Sequence, residues 1–163
     1  MNLKEFNFAP LHVIDKEWGL LTAGNKEKFN TMTISWGGLG TLWFRPVVTV
    51  YVKPIRYTYE FLENNEYFTV SFYDGDYKDD LMLLGKKSGR DGDKVAETKL
   101  TPEFLDLAPS FKEANLTIVC KKIYHQDLDT TNMPEAVVEK HYITEAPHRM
   151  YVGEVVDIID KRK

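Results

Sequence analysis

The chain has 163 residues, 43% hydrophobic and 13% aromatic, enough to bury a core without disulfides or a structural metal, so one domain over 1–163 is expected. A formal net charge of -4 excludes the broad cationic surface on which binding to nucleic acid or anionic lipid depends. The single cysteine, Cys120, excludes an intrachain disulfide and any Cys-x-x-Cys redox pair, so redox work would need a bound cofactor.

The first twenty residues carry Lys4, Glu5, Asp15, Lys16 and Glu17, which is unlike a secretory signal, and a cytoplasmic location is expected. Runs rich in β-branched and aromatic residues predict strands over 18–23, 29–36 and 47–52. The longest uncharged run, 29–44, is broken by Thr, Ser and Gly and is too short and polar for a membrane helix. Over 57–65, Tyr57, Phe61 and Leu62 set against Glu60 and Glu63 predict a short amphipathic helix. A strand follows over 68–73, then a helix over 77–84, with Leu81, Met82 and Leu84 apolar and Gly85 in a helix-ending position. Residues 86–94 read as a polar loop. Thr101-Pro102-Glu103 and Asn132-Met133-Pro134-Glu135 both resemble helix starts, around the strands predicted over 116–124 and 150–159. The fold class is mainly β, an antiparallel barrel with a few short peripheral helices.

Three stretches carry candidate chemistry. In Asn30-Thr31-Met32-Thr33-Ile34-Ser35-Trp36, the two-residue strand period puts Thr31, Thr33 and Ser35 on one polar face, a pattern shared by a ligand-lining strand and a half-exposed one. In Lys53-Pro54-Ile55-Arg56-Tyr57-Thr58, two cations and a hydroxyl meet the start of a predicted helix, where free N–H groups favour an anion such as phosphate; a capping Thr58 beside two solvated cations is the structural alternative. In Lys87-Ser88-Gly89-Arg90-Asp91-Gly92-Asp93-Lys94, two glycines and several donors suit either a loop that closes over a ligand or an exposed turn. The histidines, His12, His125, His141 and His148, show no metal-ligand spacing, Gly37-Gly38-Leu39-Gly40 does not continue into a dinucleotide fingerprint, and Cys120 reads as a buried small residue.

Taken in order, these stretches, with Phe68-Thr69-Val70-Ser71 and Gly153-Glu154-Val155, resemble the flavin reductase-like family of FMN-binding split barrels, from about Pro10 to Ile159. The resemblance implies a six-stranded antiparallel split β-barrel, a homodimer with FMN at the subunit interface, and an oxidoreductase drawing on NADH, NADPH or a protein donor. By the same resemblance, Asn30, Thr31, Met32, Thr33, Ser35 and Trp36 lie along the flavin, Arg56 and Thr58 hold its phosphate, and Lys53, Ser88, Gly89 and Lys94 approach the cofactor. Trp36 either borders the ring or fills the core, the core being preferred. No acid–base residue is singled out, because the isoalloxazine carries the chemistry. Arg45-Pro46 departs from the two prolines of many relatives. A flavin carrier without reductase activity is the alternative reading, and no nucleic-acid or membrane partner is expected.

Overall fold

The computed structural model describes residues 5–162. In chain order it contains α1 (Pro10–His12), a π-helical turn (Val13–Glu17), β1 (Gly19–Gly24), β2 (Phe29–Ile34), β3 (Gly37–Leu42), β4 (Arg45–Val52), α2 (Tyr57–Asn64), β5 (Tyr67–Phe72), α3 (Lys78–Lys86), β6 (Pro102–Phe104), β7 (Pro109–Phe111), β8 (Leu116–Asp127), α4 (Glu135–His141) and β9 (Arg149–Asp160). No helix among the described residues is long and apolar enough to cross a membrane.

Seven strands form one antiparallel sheet in the order β2-β1-β5-β8-β9-β4-β3, and β6 and β7 form a separate two-stranded ribbon. This corrects the expected six-stranded barrel on two points. The added strand is β3, whose Gly37-Gly38-Leu39-Gly40 has no apolar alternation to read and whose ladder is to β4, with Leu39 packed against the core. The sheet is also not closed, since β2 and β3 are its two ends among the described residues.

The sheet still wraps one core. Val48, Val50 and Val52 of β4, and Phe68, Val70 and Phe72 of β5, point inward at every second residue and join Leu21, Ile34, Ile118 and Tyr151 in one cluster. Each such side chain contributes roughly 1.5–3 kcal/mol on burial. On the outer side, Leu20 packs with Leu81 and Leu84 of α3 and with Leu100 and Phe111. Coverage on both sides buries β1 throughout and gives β2 a buried Thr31, whose hydroxyl lies 2.9 Å from that of Thr22. The strand expected over 29–36 is therefore mostly buried and ends at Ile34.

Two expected helix signals had other causes. Gly85 lies inside α3, where a Cβ would come within 3.2 Å of Thr33 Cβ; the glycine permits close packing of α3 on β2 and does not end the helix. Thr101-Pro102-Glu103 opens β6, with Pro102 as the first residue of a two-stranded ribbon, a position that tolerates a missing N–H. The start of α4 is close to expectation, with Pro134 just outside it. Between β3 and β4, Leu42 pairs with Arg45 across a two-residue turn, so Trp43 (φ 50°) and Phe44 (φ 59°) both occupy the left-handed region. Their side chains are exposed.

Candidate functional site

The end of β2, the segment joining β4 to α2, and the loop after α3 meet along one groove. It consists of two adjoining cavities of about 240 and 280 Å³, and Met32 and Arg56 line both. The first also takes in Thr33, Ser35, Trp36, Lys53 and His148, and the second Asn30, Thr58, Ser88, Gly89 and Lys94. Of the residues singled out in the sequence, Thr31 stands apart: it does not line the groove, and its hydroxyl is spent on Thr22 and on the carbonyl of Leu21 (3.3 Å).

At one end the polar groups are wired to each other. Arg56 is the N-cap residue of α2, no side chain caps that helix, and the free N–H groups of its first turn adjoin the cavity lined by Arg56, Tyr57 and Thr58. One Nη of Arg56 donates to Gly85 O (2.8 Å), which aims the guanidinium and leaves its other donors available, while burial lowers its pKa. Thr58 is fully buried and does not cap: its Oγ1 accepts from Asn30 Nδ2 at 2.7 Å. That bond places Asn30 Oδ1 against Gly89, where an added Cβ would lie well inside contact distance of Oδ1 and 3.0 Å from the Tyr57 ring. Gly89 is thus favoured by crowding and not by a turn.

Lys94 behaves differently from the expectation of a cofactor contact. Its ammonium is buried and donates to Leu84 O (2.7 Å) and Lys87 O (3.0 Å), which satisfies carbonyls at the end of α3 and ties the 88–94 loop to that helix. Burial, then the nearby Arg56, lowers its pKa to about 8. Ser88 Oγ accepts from the Arg90 N–H (3.2 Å), and Arg90 is pinned by Ile55 O (2.9 Å) and Glu60.

The other end is aromatic. Trp36 is 48% exposed and forms a wall, correcting its preferred placement in the core; its ring centroid lies 5.5 Å from that of His141 and 5.3 Å from that of His148. His148 Nδ1 lies 2.9 Å from Tyr142 Oη, and burial, reinforced by Lys53, lowers its pKa to about 4, so its imidazole is neutral near pH 7. Lys53 does not converge on the start of α2: its Nζ donates to His141 O (3.1 Å) and pairs with Glu145. His148 and Tyr51 are lining residues that sequence reasoning missed, since no local spacing marks them and β9 and β4 bring them in from afar. Cys120 is fully buried, and burial pushes its thiol pKa up, as expected of an inert side chain.

A family model described as "Flavin reductase like domain" matches residues 14–163. No curated protein matches the chain. Among solved structures, a flavoredoxin from Methanosarcina acetivorans is similar with a TM-score of 0.69 at 23% identity, over 88% of this chain and 68% of that one. An FMN-binding protein from Thermus thermophilus with bound 1-cyclohex-2-enone gives 0.72 at 19% identity, over 99% and 80%. An NADH:FAD oxidoreductase from Streptomyces globisporus, in complex with NAD and FAD fragments, gives 0.67 at 15% identity, over 88% and 74%. These likenesses show that the chain shares the fold of those proteins.

Proposed function

The chain belongs to the flavin reductase-like family, and from that membership we propose that it binds FMN non-covalently in the groove and passes reducing equivalents through it from a nicotinamide or protein donor. The observation that carries this reading is the cradle at Gly89: a glycine where any side chain would collide with Asn30, beside an arginine at an uncapped helix N-terminus. Such a place suits a phosphate, because guanidinium and free N–H groups together supply charge and direction. The fit extends to the rest of the molecule, since the groove continues from there over Met32 and Ile34 to the Trp36 wall and offers a flat, largely apolar ring both a floor and a side.

A bound flavin supplies reversible acceptance of a hydride or of single electrons. The remaining work falls to the chain. Arg56 and the first turn of α2 bind and orient the phosphate, and Asn30, fixed by Thr58, holds the shape of the cradle. Trp36 and neutral His148 restrict water at the ring end, and the His148 Nδ1–Tyr142 Oη hydrogen bond keeps that imidazole in one orientation. The groove is open on the Trp36 side, and a second copy of the chain closes it in the homodimer we propose.

Titration of the purified protein with FMN tests the reading, and failure of FMN either to co-purify or to bind overturns it. Anaerobic bleaching of the bound flavin by NADH or NADPH, reversed by air, is expected for a reductase, whereas bleaching by dithionite alone assigns the chain to electron carriage. Light scattering of the holoprotein is expected to report a dimer.

A further inference from the structure

We propose that Lys94 is a positioning residue whose missing counter-ion is the bound phosphate dianion, so that flavin binding draws a proton onto Lys94 and fastens the 88–94 loop to α3. This rests on the flavin-binding reading above and adds to it a selection by charge and an upper pH limit.

Lys94 lines the phosphate cavity with Arg56 and is only 4% exposed. Two of its three N–H donors go to Leu84 O and Lys87 O, which satisfy hydrogen bonds but carry no full negative charge. Among the described residues neither Lys94 nor Arg56 makes an ion pair. The acids nearby are engaged elsewhere. Glu145, after α4, pairs with Lys53, Glu60 of α2 with Arg90, and Glu97 with Lys87. Asp93 spends its Oδ1 on the Val95 and Ala96 N–H groups (3.1 and 3.2 Å). Lys94 also lines a larger cavity of about 640 Å³, where Glu27 is flanked by Lys26 and Lys28. From β2 and the first turn of α2 come the Asn30 amide and the Tyr57 phenol, and α3 adds Lys86 and Lys87. Two buried cations thus face one small cavity with no acid of the chain paired to either.

The two cations respond differently to that confinement. Arg56 keeps its proton, because a guanidinium is not deprotonated in proteins. Lys94 can yield its own: burial first, then Arg56, lowers its pKa from 10.5 to about 8. A dianion in the cavity favours the ammonium again and moves the pKa back up. Above pH 8 the complex therefore holds a proton that the free protein lacks, and FMN affinity, flat near pH 7, falls as pH rises. The phosphate cannot be the source of this uptake, since its second pKa of about 6 leaves it a dianion throughout. Recharging makes the bonds to Leu84 O and Lys87 O charge-assisted, which draws the loop carrying Gly89 onto α3.

The test is calorimetric titration of wild type, Lys94→Met and Lys94→Arg with FMN and with riboflavin, in two buffers of different ionisation heat, from pH 7 to 9.5. At pH 8.5 a free amine of pKa about 8 is roughly three-quarters neutral, so FMN is expected to bring uptake of up to that fraction of a proton into wild type. Its Kd should rise on the order of tenfold across the range. Riboflavin, without phosphate, should bring no uptake. Lys94→Met should bind FMN about tenfold more weakly at pH 7 with no uptake, and Lys94→Arg should restore affinity there while its pH profile stays flat. Wild type that binds FMN without proton uptake overturns the inference alone, as do equal uptake with riboflavin or uptake that persists in Lys94→Met. Wild type that binds no FMN at pH 7 overturns the flavin reading itself.

Discussion

The two ends of the groove are built on opposite plans. At the phosphate end each polar side chain has a fixed partner: Asn30 on Thr58, Arg56 on Gly85 O, Lys94 on the end of α3. At the ring end the wall is a half-exposed tryptophan leaning on two histidines, Lys53 bonds His141 O at the end of α4 and Glu145 beyond it, and α4 itself buries no residue. The wired end is preorganised, so affinity for a phosphate costs little reordering there, whereas the loose end can adapt to what approaches the ring. In the proposed flavin complex, one end sets what is held, and the other what is met.

Substitutions at the wired end should break this contrast most severely. Gly89→Val drives a side chain into Asn30 Oδ1 and the Tyr57 ring, and titration is expected to show FMN binding lost altogether while circular dichroism stays near wild type. Arg56→Ala removes a charge-assisted contact of roughly 1.5–3 kcal/mol, so FMN affinity should fall on the order of tenfold to a hundredfold. Riboflavin, lacking the phosphate, should lose almost nothing, and equal losses for both ligands would take Arg56 out of the phosphate site.

At the loose end the contrast sharpens as pH dependence. His148 has a folded pKa of about 4 against its ordinary 6.5, so between these values the unfolded chain binds the proton and the folded one does not. Stability is then fully present above pH 6.5 and declines by roughly 2–3 kcal/mol as pH falls to 4, below which this contribution is flat. Denaturant melts of wild type and His148→Gln across that window check it; the variant should show a shallower acid limb. The smallest effect expected is at Thr58→Val, which leaves Asn30 Nδ2 with only the distant Thr31 O (3.4 Å) and should cost about 1 kcal/mol in apoprotein melting and a few-fold in FMN affinity.

Much of this was legible in the sequence because it was local. Val48, Val50 and Val52 alternate on the page as they do in the sheet, and Arg56 at the head of α2 follows from one amphipathic turn. What escaped was decided at a distance. β3 forms because β4 offers it a ladder, and Gly85 is small because Thr33 lies beneath it. Thr58 reads as a cap until Asn30 is seen to claim its hydroxyl. Lys94, charged and in a polar loop, gives no hint that it serves the carbonyls of a helix ten residues upstream, and His148 is drawn in only because β9 follows it into the sheet.

The turn at Trp43 and Phe44 has a consequence for the order of folding. Two-residue hairpin turns of this kind favour Asn-Gly, and bulky residues with positive φ cost of order 1–3 kcal/mol each. An isolated β3–β4 hairpin is therefore expected to nucleate poorly, with β3 docking after β4 has paired with β9. A late-forming strand leaves the folding rate insensitive to changes within it and puts their effect on unfolding. In stopped-flow kinetics, Leu39→Ala is expected to speed unfolding while barely altering refolding, and Trp43→Asn with Phe44→Gly to slow unfolding in turn.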